Sequence, residues 1–157
     1  MTYGYDSAVA FGRSRMSVGD FAVDLLTRLV MERECDAERM RPLVFICHSL
    51  GGVVLKQALI TASAVRNHYG TITKSTFGVI FMGTPHRGSR VANTARQIAR
   101  IINITSLSSL VRSDLLAVLS MSSKELQHIS QLSVPILKDL VIVSFYEQKP
   151  LGPTLVN

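Results

Sequence analysis

The fold is decided by one stretch of sequence, Leu43-Val44-Phe45-Ile46-Cys47-His48-Ser49-Leu50-Gly51-Gly52-Val53-Val54-Leu55. Its first half is an apolar, β-branched run that predicts a strand, and its second half is an apolar run that predicts a helix. A short turn with Ser49 at its centre joins the two halves. Strand, sharp turn and helix form the context of a nucleophile elbow, in which a strained serine backbone lifts the hydroxyl clear of the sheet. The sequence therefore predicts that Ser49 is a nucleophile; the alternative is an ordinary strand–helix turn with a serine near an N-cap.

The residues around Ser49 fit the steric and electrostatic needs of such an elbow. Strand and helix nearly touch there, so the positions two before and two after the serine must be small. Gly51 meets this need, and Cys47 stands where glycine is commonest but still has a small side chain. The following helix points its N-terminus and its free N–H groups at the serine, where they favour a developing oxyanion. We therefore expect the backbone N–H of Leu50 to be one oxyanion donor.

The composition is that of one globular domain, with 47% apolar and 18% charged residues in a chain of 157. The two cysteines, Cys35 and Cys47, do not make a disulfide framework, and a reducing compartment is the simpler interpretation. The sequence opens without a secretory signal and contains no apolar run long enough to span a bilayer, so we expect an intracellular protein. The net charge of +6 comes from dispersed basic residues without interleaved aromatics, so nucleic acid is not an expected partner.

Apolar strands alternate with helical patterns along the chain, which predicts an α/β fold with a mostly parallel sheet and helices on both faces. Besides the elbow strand, apolar runs predict strands at Phe77–Met82 and Leu140–Tyr146, and Met1–Tyr5 looks like the tail of another. In such sheets ligands bind at the carboxyl ends of the strands. The loop Gly83–Ser89 should therefore share a rim with Ser49.

The helical patterns differ in how well their ends are marked. Ser17 and Asp20 form a capping-box pattern before an amphipathic stripe that runs to about Glu34. The elbow helix is expected to end between residues 67 and 70. Residues 88–133 read as helical, with patterns at 107–119 and 122–132 and a break at Pro135. This helical segment is either a lid over an apolar acyl site or a set of packing helices, and the sequence pattern does not distinguish these two interpretations.

Four blocks, taken together and in order, resemble one protein family: Thr2–Ser7, Phe45–Gly52, Phe81–Ser89 and Ser144–Glu147. They are similar to the serine esterases of the α/β-hydrolase fold that include the "serine active site containing" proteins, and to domains at the front of fungal NACHT and NB-ARC proteins. The resemblance covers nearly the whole chain, and the Gly-Thr-Pro-His-Arg-Gly block is its most specific part. The resemblance implies an esterase or lipase-like enzyme. It also implies a cytoplasmic location, and the alternative is association with a mitochondrial or endoplasmic reticulum membrane.

The resemblance also implies roles for individual residues. Ser49 matches the nucleophile of the family, and the acid is expected at Glu147, where a carboxylate would orient the catalytic histidine. The alternative for Glu147 is an exposed glutamate after a strand. The substrate would be a small-molecule acyl ester or a lipid, cleaved through an acyl-enzyme, and neither a metal nor an organic cofactor is needed.

A helix bearing Arg96 and Arg100 offers a peripheral membrane contact, although a solvated helix face is the simpler interpretation.

Two parts of the family pattern are absent from this sequence. The catalytic histidine should follow the acid, but no histidine follows Glu147. The His-Gly-rich loop that supplies a second oxyanion N–H is absent too, so residues 1–157 resemble one partial hydrolase domain, without its N-terminal strands and its C-terminal strand and histidine. His86, in the loop expected at the rim, is a candidate substitute base or a residue that shapes this loop. The alternative function is a catalytically incomplete hydrolase-fold fragment that acts as an interaction or regulatory module.

Overall fold

The computed structural model describes residues 1–4, 17–84, 86 and 112–145. In chain order this part forms the elements α1 (Val18–Met31), α2 (Asp36–Arg39), β1 (Leu43–His48), α3 (Gly51–Ala64), α4 (Arg66–Ser75), β2 (Thr76–Met82), α5 (Arg112–Leu137) and β3 (Val141–Phe145). Strands and helices alternate as the sequence predicts. The three apolar runs predicted as strands all form strands whose ends lie within one residue of the predicted bounds.

The three strands form one parallel sheet in the order β1-β2-β3. Cys47 lies opposite Phe81, and Phe81 lies opposite Ser144. Because the strands run in the same direction, their carboxyl ends meet at one rim. The α/β class with a parallel sheet is thereby confirmed, and the turn after β1 lies beside the loop after β2.

The two faces of this sheet differ in burial. Cys47, Val79 and Phe81 point to one face and are buried. Ile46 and Val143 point to the other face, where Ile46 is 70% exposed. Alternate residues of a strand lie on opposite faces, so the described helices cover one face only. Helices on the second face remain an expectation from the sequence.

Helix α3 is the centre of the hydrophobic core and contacts α1, α4 and α5. Its buried apolar residues are Val53, Val54, Leu55, Ala58, Leu59 and Ala62. Burying one Val or Leu side chain contributes about 1.5–3 kcal/mol. The helix that follows Ser49 is therefore held on several sides, which gives the turn before it a rigid support.

Helix α1 begins at the predicted capping box. The Ser17 hydroxyl accepts a hydrogen bond from the Asp20 N–H at 3.3 Å, and the Asp20 carboxylate accepts one from the Ser17 N–H at 2.6 Å. The two bonds satisfy backbone donors that a helix start leaves unpaired. The apolar stripe of α1, which includes Phe21 and Leu25, is buried in the core.

The elbow helix ends earlier than the sequence pattern predicts. Helix α3 stops at Ala64, and Val65 takes non-helical angles of φ −104° and ψ 60° before α4 begins. A branched residue with non-helical angles interrupts the hydrogen-bond ladder, so a separate short helix forms. The Thr76 hydroxyl then donates to the Ile72 carbonyl at 2.7 Å, where α4 gives way to β2.

Helix α5 runs through Pro135, so the predicted break there is wrong, as is the division into two helices between residues 112 and 132. Proline removes one backbone hydrogen bond and its ring crowds the carbonyl of the preceding turn, so a helix continues past it only where other contacts compensate. Ile136 and Leu137 after it pack against the core, which favours continuing the helix. Residues 88–111 lie outside the described part, so the choice between a lid and packing helices stays open.

Two smaller expectations also change. Met1–Gly4 forms no strand with any described residue, although Tyr3 is anchored on α1, with its hydroxyl 3.0 Å from the Phe21 carbonyl oxygen. Arg33 lies in a run of charges that the sequence suggests is solvated, but its side chain is only 5% exposed. The guanidinium donates to the carbonyl oxygens of Arg39 and Arg41, and this pairing permits its burial.

Candidate functional site

Ser49 and Leu50 join the end of β1 to the start of α3, and Ser49 has a backbone conformation that non-glycine residues rarely adopt. Its φ is +50°, and it is the one non-glycine residue with positive φ in the described ranges. Such a conformation costs about 1–3 kcal/mol and persists only where the surroundings enforce it. The Ser49 N–H donates to the Met82 carbonyl at 2.8 Å, which ties the turn to the end of β2. The structure therefore has the strand, strained turn and helix that the sequence predicts.

The start of α3 leaves backbone donors without acceptors beside Ser49. The N–H of Gly52 donates to the Ser49 carbonyl at 3.2 Å, and those of Val53 and Val54 donate to the Leu50 carbonyl at 2.9 and 3.0 Å. No described residue accepts a hydrogen bond from the Leu50 N–H. Free N–H groups at a helix start carry a partial positive charge that favours an anion. The oxyanion role of Leu50 stays a prediction, to which this geometry is suited.

Gly52 lets the helix approach the loop after β2 very closely. A Cβ atom built on Gly52 would lie 2.3 Å from Thr84 Oγ1 and 2.9 Å from Phe81 Cδ1. No side chain fits in that space, so only glycine allows this approach. Thr84 is 8% exposed, and its hydroxyl oxygen has no hydrogen-bond partner among the described residues. The close contact fixes the start of the loop against the elbow helix.

Lys56 and His86 form a second contact between α3 and the same loop. Lys56 Nζ lies 3.1 Å from His86 Nδ1. Lys56 is 3% exposed, whereas the His86 side chain remains exposed. Burial lowers the pKa of the Lys56 ammonium. Burial of part of the ring, and then the Lys56 charge, lower the pKa of His86.

The Phe81 ring completes this arrangement beneath the loop. Its centroid lies 5.6 Å from Lys56 Nζ and 4.8 Å from the centre of the His86 ring, with the two ring planes at 87°. An aromatic face attracts a cation at this distance, and an edge-to-face pair of rings is the favoured aromatic contact. Phe81 thus holds the lysine and the histidine in place together.

Cys47, two residues before Ser49, packs into the core as a small apolar group. It is 8% exposed, and burial raises the pKa of its thiol to about 12. A thiol that stays protonated is a poor nucleophile. Cys47 therefore does not compete with Ser49 for an electrophile at neutral pH.

None of the four histidines hydrogen-bonds to the Ser49 hydroxyl in the described structure. His48, on β1, His68, on α4, and His128, on α5, all have exposed side chains. The bond formed by His86 goes to Lys56, and no described residue hydrogen-bonds to the Ser49 hydroxyl. The role of His86 as a substitute base stays a prediction.

Glu147 lies outside the described residues, but the strand that precedes it is well placed. β3 ends at Phe145 beside β2, and the Phe145 carbonyl accepts a hydrogen bond from the Gly83 N–H at 2.9 Å. The carboxyl end of β3 thus reaches the same rim as the loop after β2. The role of Glu147 as the catalytic acid stays a prediction.

Two further observations concern metals and membranes. The described ranges hold no group of three or more His, Cys, Asp or Glu side chains placed to bind a metal ion. Among the helices of the same ranges, none is long and apolar enough to cross a membrane. Neither observation tests the expectation of a metal-free reaction. Neither tests a peripheral membrane contact through Arg96 and Arg100, because both arginines lie outside the described part.

Sequence reasoning missed the roles of Lys56 and Thr84. For Lys56 a signal was present, because it is the one charged residue between Gly51 and Ala64 in an otherwise apolar and small-residue helix. A single cation in a helix with this composition indicates either snorkelling to water or a specific buried partner. For Thr84 no comparable signal exists, since its burial depends on the missing side chain of Gly52.

The comparisons with known proteins show a partial similarity. Human Protein SERAC1 is 39% identical to this chain over 62 residues, which are 40% of this chain and 9% of the human protein. Bovine Protein SERAC1 matches to the same extent, and mouse Protein SERAC1 is 30% identical over 103 residues, which are 62% of this chain and 15% of the mouse protein. The chain thus spans less than a sixth of the length of these relatives. No protein-family model matches the chain, and no solved structure does.

Proposed function

We propose that this chain carries the nucleophile segment of a serine hydrolase with the α/β-hydrolase fold, acting on carboxylic esters such as lipid esters. The observation that carries the proposal is the positive φ of Ser49, at the turn from a parallel strand into a buried helix. Strained conformations of this kind cluster at active sites, because the strain presents a reactive group. The similarity of part of the chain to Protein SERAC1 is compatible with the proposed relationship to the "serine active site containing" proteins. The relationship to fungal NACHT and NB-ARC proteins, and an intracellular location, remain expectations from the sequence.

The proposed reaction proceeds through an acyl-enzyme. Ser49 Oγ attacks the acyl carbonyl carbon while a base takes its proton, and the negative charge on the carbonyl oxygen is stabilised by the Leu50 N–H and the start of α3. The ester bond then breaks, and the base returns the proton to the departing alcohol. Water attacks the acyl-serine in a second round and releases the carboxylic acid. Transfer of the acyl group to an acceptor other than water would use the same residues.

The base in this proposal is a histidine that Glu147 orients. In the order serine, acid, histidine, the histidine follows the acid, and no histidine follows Glu147 in this sequence. His86 is occupied by Lys56 and does not bond to Ser49. We therefore assign the base to a polypeptide segment other than these 157 residues. Without a base, a serine site keeps only the residual catalysis of binding and oxyanion stabilisation, about 10³–10⁴-fold over water.

An apolar groove next to the elbow supports an acyl substrate. The groove has a volume of about 590 Å³ and follows β1 along the edge that faces away from β2. Its lining includes His48 and Gly51, which flank Ser49 and Leu50 in the chain, and the apolar residues Leu25, Leu29 and Leu55. Substrate pockets are mostly apolar with a few polar groups at the reacting end. We place the acyl chain of the substrate in this groove.

The test is ester hydrolysis with and without an external base. The folded chain and its Ser49→Ala variant would be assayed on p-nitrophenyl butyrate over a range of imidazole concentrations, so that imidazole replaces the absent histidine. We expect release of nitrophenol above the Ser49→Ala background, rising with imidazole, because base catalysis contributes about 10²–10⁴-fold. Equal rates for the two proteins at every imidazole concentration would overturn the proposal.

A second candidate function is an interaction or regulatory module that has the hydrolase fold but no turnover. The observation that favours it is that no described histidine hydrogen-bonds to the Ser49 hydroxyl. The imidazole assay separates the two, since a module without catalytic competence gains nothing from added base. Translation of the DNA on both sides of this reading frame is a second discriminator, because a His-Gly-rich loop upstream and a histidine downstream would favour the enzyme.

A further inference from the structure

His86 has two ring nitrogens, and one of them is in hydrogen-bond contact with Lys56. The 3.1 Å contact is between Lys56 Nζ and His86 Nδ1. A lysine ammonium carries three donors and no acceptor, so the hydrogen bond requires Nδ1 to be the acceptor. A neutral imidazole that accepts at Nδ1 carries its proton on Nε2. With Lys56 in its ammonium form, the contact therefore requires the Nε2–H tautomer of His86 as well as fixing the position of the ring.

Two features of the surroundings act on the Lys56 charge in opposite directions, because burial lowers the pKa of Lys56 whereas the Phe81 ring stabilises the cation. Its Nζ lies 5.6 Å from the centre of the Phe81 ring, a distance at which an aromatic face stabilises a cation. No described carboxylate lies within ion-pair distance of Lys56, so His86 is the one described group that accepts its hydrogen bond. The charge of Lys56 also opposes protonation of the imidazole, because two cations would then face each other across 3.1 Å.

The position of His86 is set by the same face of the elbow helix that holds Thr84. Gly52 and Lys56 are four residues apart on α3 and therefore lie on one face. Gly52 contacts Thr84 and Lys56 contacts His86, so the loop after β2 is tied to α3 at two successive points, beginning three residues after Ser49. His86 remains exposed while its Nδ1 is engaged, so the group that it can offer to a ligand is the Nε2–H.

We infer that Lys56 is a positioning residue that fixes His86 as the Nε2–H tautomer, so that His86 donates a hydrogen bond to a carbonyl or carboxylate oxygen of a bound acyl ligand and is not a general base. The ligand in this statement rests on the proposed function, whereas the tautomer rests on the Lys56 contact alone. The inference also removes His86 as the substitute base for Ser49, because a base needs an unprotonated nitrogen toward the serine.

The tautomer is tested by nitrogen-15 NMR of the imidazole rings at neutral pH, where protonated and unprotonated ring nitrogens give well-separated signals. We expect a single neutral form of His86 with the proton on Nε2 in the unmodified chain and in Lys56→Arg, which keeps a charged donor. Lys56→Met should give a mixture of tautomers and a higher pKa for His86. His68 and His128 serve as internal controls because they lie on helices away from this contact. A proton on Nδ1, or an identical His86 spectrum in Lys56→Met, would overturn the inference.

The role toward a ligand is tested by imidazole-supported hydrolysis of p-nitrophenyl butyrate in His86→Gln and His86→Ala. Glutamine keeps an N–H donor, so we expect it to retain most of the activity. Alanine should raise KM about 2- to 10-fold with little change in kcat, because one neutral hydrogen bond is lost. A loss of about 10²-fold or more in kcat in both variants would identify His86 as a base and overturn the inference. Absence of Ser49-dependent hydrolysis in the unmodified chain would overturn the proposed function and the ligand, and the NMR result would then decide the tautomer separately.

Discussion

Gly52 and Thr84 lie so close together that a Cβ atom on Gly52 would fall 2.3 Å from the Thr84 hydroxyl oxygen. We predict that Gly52→Ala lowers the free energy of unfolding by about 1–3 kcal/mol, because the added methyl group overfills a packed contact. Thermal and urea unfolding followed by circular dichroism would measure the change. The double variant Gly52→Ala with Thr84→Ala should lose less stability than the sum of the single variants, since the smaller side chain makes room. Strict additivity would contradict this close contact.

Gly70 provides the matched control for that experiment. It lies inside α4, and a Cβ there would meet only the Arg66 Cβ at 3.6 Å, an ordinary van der Waals distance. Gly70→Ala should raise the free energy of unfolding by about 0.5–1 kcal/mol, because alanine restricts the unfolded chain and favours the helix. If both glycine variants were destabilised to the same degree, the cost at Gly52 would not come from its contact with Thr84.

The strained backbone at Ser49 predicts that this residue lowers the stability of the fold. Ser49→Gly should be more stable than Ser49→Ala by about 1 kcal/mol, because glycine adopts a φ of +50° without the steric cost that any Cβ meets. Comparing the two variants removes the contribution of the hydroxyl, which both lack. The midpoints of thermal unfolding give the difference. An alanine variant as stable as the glycine variant would mean that the turn is not strained.

Burial of Lys56 predicts a pH-dependent stability. Since burial lowers its pKa below the ordinary value of 10.5, the unfolded chain binds more protons than the folded chain between the two pKa values. Stability contributed at this site therefore rises with pH between these two pKa values. We expect Lys56→Met to be more stable than the unmodified chain at neutral pH, with a gain that shrinks as the pH approaches 10.5.

The control for Lys56 is Lys74, which is exposed on α4. Lys74→Met should give only a small change in stability, because a substitution on the exposed face of a helix removes no buried group. Urea unfolding at a series of pH values would compare the two variants. A Lys56→Met gain that is constant with pH, or a loss at neutral pH, would contradict the burial of an ammonium group there.

The two cysteines should differ sharply in reactivity. Cys35 is exposed, whereas Cys47 is buried and the pKa of its thiol is raised to about 12. We expect Ellman's reagent at pH 8 to modify Cys35 within minutes and to modify Cys47 only after denaturation. The Cys35→Ser variant isolates the buried thiol. Rapid reaction of native Cys35→Ser would show that the strand before Ser49 is open to solvent.

Much of this architecture follows from local sequence patterns. The apolar run before Ser49 and the capping box at Ser17 depend on neighbouring residues, and both are present where the sequence predicts them. Pro135 shows the limit of local rules, because the packing of Ile136 and Leu137 outweighs one missing backbone hydrogen bond. Secondary structure is therefore predictable where propensity and packing agree, and less so at the ends of helices.

The site was only partly predictable for a different reason. Ser49 and Leu50 belong to one continuous motif, so the sequence suggests their arrangement directly. The contact between Lys56 and His86 joins residues 30 positions apart, and it depends on how the loop after β2 lies on α3. Nothing in the spacing of these two residues indicates that contact. The role of His86 as a substitute base stays a prediction, and the contact with Lys56 is the observation that favours a donor role instead.

Covalent labelling shows whether Ser49 is the nucleophile. The folded chain would be treated with a fluorophosphonate probe in the presence of imidazole, digested and mapped by mass spectrometry, with Ser49→Ala as the control. We predict one phosphonylated peptide, which contains Ser49 and is absent from the control. No labelling of a folded, monodisperse chain, or labelling that persists in Ser49→Ala, would contradict the account.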